Sequence, residues 1–183
     1  MLPPMPDWNG VHPLVVHFPI ALLFVAPVFV VIAAARRSRW TPFGASALVL
    51  IALGTLSIMV AMSTGEAAED AAEAVADADA VLDEHEELAE RARLIFVGLT
   101  VLYAALLLAP RLTAQAATAR YAVIANLVFL APYLAGLAAL ANTAHEGGRL
   151  VHEFGVRAPV AGDRAAAGTD AVTPRGDDTD DDD

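Results

Sequence analysis

Four long blocks of apolar residues limit what this chain of 183 residues can fold into. The blocks cover residues 13–35, 43–63, 94–109 and 121–141. A helix rises about 1.5 Å per residue, so roughly 20 apolar residues cross a hydrocarbon core of about 30 Å. The third block is shorter, and we expect its helix to continue outward through residues 86–93. The blocks therefore predict an all-α fold, an integral membrane bundle of four helices with the lipid bilayer around it.

Arginine positions predict the orientation of this bundle. The two short loops that follow blocks one and three contain five arginines and no acidic residue: Arg36, Arg37, Arg39, Arg111 and Arg120. Positive charges in short loops mark the cytoplasmic side of a membrane protein. The N-terminus, the C-terminus and the long connection after block two are therefore predicted to lie outside, in a multi-pass protein of the cell (plasma) membrane. That connection is rich in Ala and Glu, so we expect helices 2–4 to extend beyond the bilayer on the outer side, helix 2 by two or three turns.

The chain is acidic, with a formal net charge of −11 and no lysine. This composition is typical of an extreme halophile; the alternative is an alanine-rich product of a high-GC genome with an acidic tail. Residues 158–183 lack apolar periodicity and are predicted to be a disordered acidic tail, which leaves residues 1–157 as the four-span membrane domain. Because no basic patch exists to meet phosphate, nucleic acid is excluded as a partner.

Several classes of function find no support in the sequence. Without cysteine, the chain cannot form a disulfide, an iron–sulfur cluster or a thiolate zinc site, so histidine and carboxylate remain as metal ligands. Two His-Glu pairs, at residues 85 and 145, start like the HExxH motif of zinc proteases, but Ala89 and Arg149 occupy the position of the second histidine. No catalytic motif and no internal repeat is evident. The sequence therefore offers no basis for assigning an enzymatic activity.

Three histidines share one level near the outer ends of their helices. Counted from the inner end of each helix, His12, His85 and His145 all lie 24 or 25 residues out, a height of about 36–38 Å. Glu66 on helix 2 falls at the same level, and His17 lies five residues deeper than His12. Imidazoles that meet at one level can form the ligand set of a haem or a metal ion. The alternative is that each imidazole has only an interfacial or hydrogen-bonding role.

The run of residues 11–22 is distinctive and reads Val-His-Pro-Leu-Val-Val-His-Phe-Pro-Ile-Ala-Leu. It resembles the opening of an uncharacterised family of predicted membrane proteins, domain of unknown function 2231. Weaker likenesses follow at three places: Thr64-Gly65, His85 and residues 144–156. The resemblance covers residues 9–157, and His152 departs from the family pattern, which has an aromatic residue there. It implies a four-helix membrane bundle and favours a redox role with haem.

These observations lead to one hypothesis about function, the binding of haem b or a transition-metal ion by outer-face histidines for membrane electron transfer. The predicted cofactor ligands are His12, His17, His85 and His145, and the predicted metal ligands are His12, His85, His145 and Glu66. Three arginines at this height would meet haem propionates or only balance nearby glutamates: Arg91, Arg93 and Arg149. A membrane redox partner or a second copy of the chain would complete such a role. The alternatives are a non-catalytic membrane scaffold or subunit without a cofactor, and a small transporter, which the absence of mid-bilayer charge disfavours.

Overall fold

The computed structural model describes residues 8–36, 40–112 and 118–157, and these ranges contain helices but no strand. The four long helices are α1 (His12–Arg36, with a turn at Val16), α2 (Trp40–Glu66), α3 (Asp79–Leu112) and α4 (Ala119–His152). The predicted all-α fold is confirmed. The predicted acidic tail, 158–183, lies outside the described residues.

All four helices are long and apolar enough to cross a membrane, as the four apolar blocks predict. Their outward faces expose many large apolar side chains, among them Phe18, Phe24, Val101, Leu127, Val128 and Leu134. An apolar surface of this extent is unfavourable in water but matches the acyl chains of a lipid bilayer. The chain is therefore a membrane protein with four candidate spans.

The connection between α2 and α3 is less helical than its composition predicts. α2 ends at Glu66, a separate short helix runs over Glu69–Glu73, and a turn with Asp77 at φ 66° leads into α3. The helix propensity of Ala and Glu would carry α2 two or three turns further. Instead the chain folds back over the end of the bundle, where Ala72 is buried. Burial of apolar surface there outweighs local propensity.

The four helices pack in a ring. α1 contacts α2 and α4, and α3 contacts the same two helices from the other side. The core inside the ring is built from small and aromatic residues, including Ala26, Val30, Ala47, Ile51, Phe96, Tyr103, Phe129 and Tyr133. α1 and α3 begin at the same end of the bundle, which we call the histidine end because it carries His12 and His85. The opposite end, with Arg36, is the arginine end.

Polar side chains in the middle of the bundle bond to one another or to backbone carbonyls. Three such bonds are Tyr103 Oη to Asn126 Oδ1 (2.7 Å), Tyr133 Oη to Leu23 O (2.8 Å), and Thr55 Oγ1 to Thr100 Oγ1 (2.9 Å). Among the described residues, no buried side-chain polar atom lacks a hydrogen-bond partner. A helix bundle in a membrane requires such pairing, because lipid acyl chains cannot form hydrogen bonds with an unpaired polar group.

Candidate functional site

A cavity of about 430 Å³ lies at the histidine end of the bundle. All four long helices line it, mostly with small or apolar side chains: Val16, Ile58, Ala61, Ala89, Leu140 and Ala144. The connection between α2 and α3 contributes Ala68, Glu69 and Ala72. A concave, mainly apolar space with a few polar groups has the usual character of a ligand site.

His12 enters this cavity from α1 and is held by α2. Its Nδ1 lies 2.9 Å from the carbonyl oxygen of Ala61 and 3.2 Å from Thr64 Oγ1. The ring also lies against Gly65, where an added Cβ would stand 3.2 Å from the imidazole Cε1. Because a carbonyl oxygen can only accept a hydrogen bond, Nδ1 carries the hydrogen of the neutral ring.

His85 enters the cavity from α3 and is held by α4 in the same manner. Its Nδ1 donates to the carbonyl oxygen of Thr143 at 2.9 Å. Its ring lies even closer to a glycine, since a Cβ at Gly147 would stand 2.9 Å from Cε1. A side chain at that position would displace the ring, so glycine is required where α4 passes the histidine.

The two hydrogen bonds fix which nitrogen of each ring carries the hydrogen. With Nδ1 donating to a carbonyl, the Nε2 of His12 and of His85 carries a free lone pair, and neither has a hydrogen-bond partner among the described residues. Both residues line the same cavity. A backbone carbonyl bound to Nδ1 is the usual outer contact of a histidine that binds metal through Nε2. The site therefore holds two Lewis bases that have no protein partner among the described residues.

The other histidines of the predicted ligand set lie elsewhere. His17 is exposed and donates from Nδ1 to the carbonyl oxygen of Pro13 on its own helix, at 2.6 Å. His145 and His152 on α4 are exposed, and neither lines the cavity. Of the histidines considered as ligands, the structure thus brings together His12 and His85 alone.

Carboxylates surround the mouth of the cavity. Glu66, predicted as a metal ligand, lines the cavity together with Glu69 and Glu86, and Glu86 interacts electrostatically with both of the others. Within the described ranges, however, no group of three or more His, Cys, Asp or Glu residues is arranged to hold a metal ion. The carboxylates form an acidic rim around the two histidines.

The arginines near this end pair with glutamates of their own helices. The pairs are Arg91–Glu87, Arg93–Glu90, Arg149–Glu146 (2.7 Å) and Arg149–Glu153 (3.0 Å). This is the balancing role that the sequence offered as the alternative to a propionate contact. Arg157 also lines the cavity and forms no ion pair within the part of the chain that the structure describes.

Sequence reasoning missed the groups that orient the two histidines. The acceptors at Ala61 and Thr143 are backbone carbonyls, which every residue has, so no residue type marks them. The glycines left a signal: Gly65 and Gly147 each follow the acceptor residue by four positions, which places both on the same helix face.

Comparison with known proteins identifies the family of this chain. The family model described as predicted membrane protein, DUF2231, matches residues 9–159. This range includes every residue of the cavity named above. No curated protein and no solved structure matches the chain.

Proposed function

Because the chain belongs to the DUF2231 family of predicted membrane proteins, we propose that it is a membrane cofactor carrier. It binds haem b or a transition-metal ion between His12 and His85 and takes part in membrane electron transfer. One observation carries this proposal. Each imidazole donates from Nδ1 to a backbone carbonyl, which leaves both Nε2 atoms without a protein partner on residues that line the same cavity.

The proposal includes an orientation in the plasma membrane. The positive-inside rule favours a cytoplasmic arginine end, since the loops that follow α1 and α3 carry arginine and no acid. The histidine end, both termini and the acidic rim then lie on the extracellular side. A redox partner would approach the cofactor from that side.

The alternative is a scaffold in which the two histidines only join neighbouring helices. Their bonds to Ala61 and Thr143 would serve that role as well. The cavity favours the cofactor, because two imidazoles that only joined helices would not need a shared space lined by both of them. Arg157 adds a cation at the cavity wall, suited to an acidic group of a bound molecule.

The test is the composition and spectrum of the full-length protein purified from membranes. Haem gives a Soret band, and a metal ion appears in stoichiometric amount by elemental analysis. His12→Ala and His85→Ala are expected to remove most of the cofactor. His152→Ala, on the exposed face of α4, is the control and should leave it in place.

His145→Ala distinguishes the ligand sets. Loss of the cofactor in this variant would restore the predicted set of three histidines, whereas retention favours the pair in the cavity. If the protein contains neither haem nor metal and takes up none from solution, the proposal is wrong and the scaffold stands.

A further inference from the structure

The contacts of His12 recur at His85 with the same geometry. Each histidine lies within the first two turns of one helix and donates from Nδ1 to a carbonyl of the next helix at 2.9 Å. Its ring lies against a glycine four residues past that carbonyl. In the first hairpin, α1–α2, these residues are Ala61 and Gly65. In the second hairpin, α3–α4, they are Thr143 and Gly147. The two halves of the chain thus build the same local structure.

The correspondence continues down the bundle with constant spacing. An offset of 73 residues takes His12 to His85, and the same offset pairs the buried positions of α1 and α3: Pro19 with Ala92, Leu23 with Phe96, Ala26 with Leu99, Val30 with Tyr103, and Ala34 with Leu107. An offset of 82 residues takes Gly65 to Gly147. The same offset pairs the buried positions of α2 with those of α4: Ala47 with Phe129, Ile51 with Tyr133, Thr55 with Leu137, and Ile58 with Leu140.

A second pair of glycines shows that this match exceeds ordinary helical periodicity. Gly54 lies against Leu23, and an offset of 82 residues leads from Gly54 to Gly136. Gly136 lies against Phe96, the counterpart of Leu23. Period-3.6 burial would align any two helices of a bundle in some register. Here the register that aligns the histidine contacts also aligns these close approaches.

The packing of the helices obeys the same relation. Exchanging α1 with α3 and α2 with α4 leaves the ring of contacts unchanged, because α1 meets α2 and α4 while α3 meets α4 and α2. α1 and α3 start at the same end, so the exchange is a half-turn about the long axis of the bundle. His12 and His85 exchange places under that half-turn, and both line the cavity.

We infer that the two hairpins are structural repeats, that His12 and His85 are equivalent half-sites, and that their shared ligand is haem with one imidazole on each face of the iron. This rests on the proposed function and narrows its ligand. A porphyrin already supplies four nitrogens to the iron and leaves two opposite positions, as many as there are half-sites. A bare metal ion needs three or four protein ligands, and no such group is present among the described residues.

The experiment uses the full-length protein in detergent, loaded with hemin, and reads the spin state of the iron by electron paramagnetic resonance and by the visible spectrum. We expect the unaltered protein to hold low-spin iron with two imidazoles. His12→Ala and His85→Ala should each give high-spin iron with one imidazole, and the double variant should lose haem. Added imidazole should return either single variant to low spin, and an unchanged circular dichroism spectrum shows that the variant is folded.

Each other outcome overturns the inference in a distinguishable way. If only one of the two single variants changes the spin state, the half-sites are not equivalent, although a haem site remains. If hemin does not bind but Zn²⁺ or Cu²⁺ does, and His12→Ala and His85→Ala abolish that binding, the proposed function survives with a different ligand. If neither hemin nor metal binds, the inference falls together with the proposed function.

Discussion

Gly147 and His85 stand in contact so close that only a glycine fits: a Cβ on Gly147 would lie 2.9 Å from Cε1 of the imidazole. The neighbouring Gly148 has no atom within 4 Å of the corresponding position. Two adjacent glycines of one helix thus differ in what a methyl group would meet. The pair separates an effect on the histidine from a general effect on α4.

We expect Gly147→Ala to weaken haem binding about tenfold or more, in the range seen when groups that orient a metal ligand are altered. The added methyl group displaces the His85 ring and lengthens its bond to Thr143. Gly148→Ala, the matched control, should leave binding unchanged. Titration of each purified variant with hemin gives the comparison. Equal affinities for the two variants would show that the ring position does not matter.

A second glycine pair tests the packing between α1 and α2. A Cβ at Gly54 would lie 2.6 Å from Cγ of Leu23, whereas Gly98 on α3 has nothing within 4 Å. Overpacking of this kind costs about 1–3 kcal/mol, so Gly54→Ala should lower the free energy of unfolding by that amount. Gly98→Ala is expected to be neutral or to stabilise by up to about 1 kcal/mol. Unfolding in mixed micelles measures the free energy of unfolding of both variants. A Gly54→Ala variant as stable as the unaltered protein would contradict the close packing.

The bond between Tyr103 and Asn126 joins α3 to α4 in the middle of the bundle, at 2.7 Å. Hydrogen bonds between membrane helices contribute about 0.6 kcal/mol on average and at most about 1.7 kcal/mol. A double-mutant cycle with Tyr103→Phe and Asn126→Ala should therefore give a coupling energy within that range. A coupling of zero would mean that the Tyr103 bond to Oδ1 adds nothing to stability, and that only the bond donated by Nδ2 to the carbonyl oxygen of Ala122, at 2.7 Å, holds the amide of Asn126.

Labelling from outside the cell tests the proposed orientation. Ala76 lies in the turn before α3 and is exposed, so a cysteine there should react with a membrane-impermeant maleimide. A cysteine at Ser38, which lies outside the described residues, should react only after the membrane is permeabilised. The native chain has no cysteine, so the label reports one site at a time. The reverse pattern would invert the topology.

The sequence predicts the height of a residue along its helix better than the direction in which its side chain points. Counting residues gives height along the axis, and it placed His12 and His85 at one level as their shared cavity requires. It gives no direction around the axis, where each residue turns by about 100°. His145 lies two residues from Thr143, roughly 200° around α4, and is exposed although the count predicts the same height for it. The direction of His12 and His85 depends on neighbouring helices, which a count along one helix does not include.

The internal repeat is not evident from the sequence for a different reason. Unequal connections change the offset from 73 residues in the first helix of each hairpin to 82 in the second, so no single shift aligns the halves. Few positions keep the same residue, and those that do include His12 with His85, Gly54 with Gly136, and Gly65 with Gly147. Elsewhere the pairs differ in volume, as Ala47 and Phe129 do. Burial and contact repeat, while side-chain identity does not.

Each histidine–carbonyl bond joins the two helices of its own hairpin, and this affects how the two hairpins can move relative to each other. The bonds that cross from hairpin to hairpin lie deeper, at Tyr133–Leu23 and Thr55–Thr100. At the histidine end, no side-chain hydrogen bond among the described residues spans that seam. The two hairpins are therefore joined by side-chain hydrogen bonds at mid-depth, and at the histidine end the α2–α3 connection links them instead. A ligand bound by both histidines would set the distance between the two hairpins at this end. Binding would therefore change the angle between the hairpins.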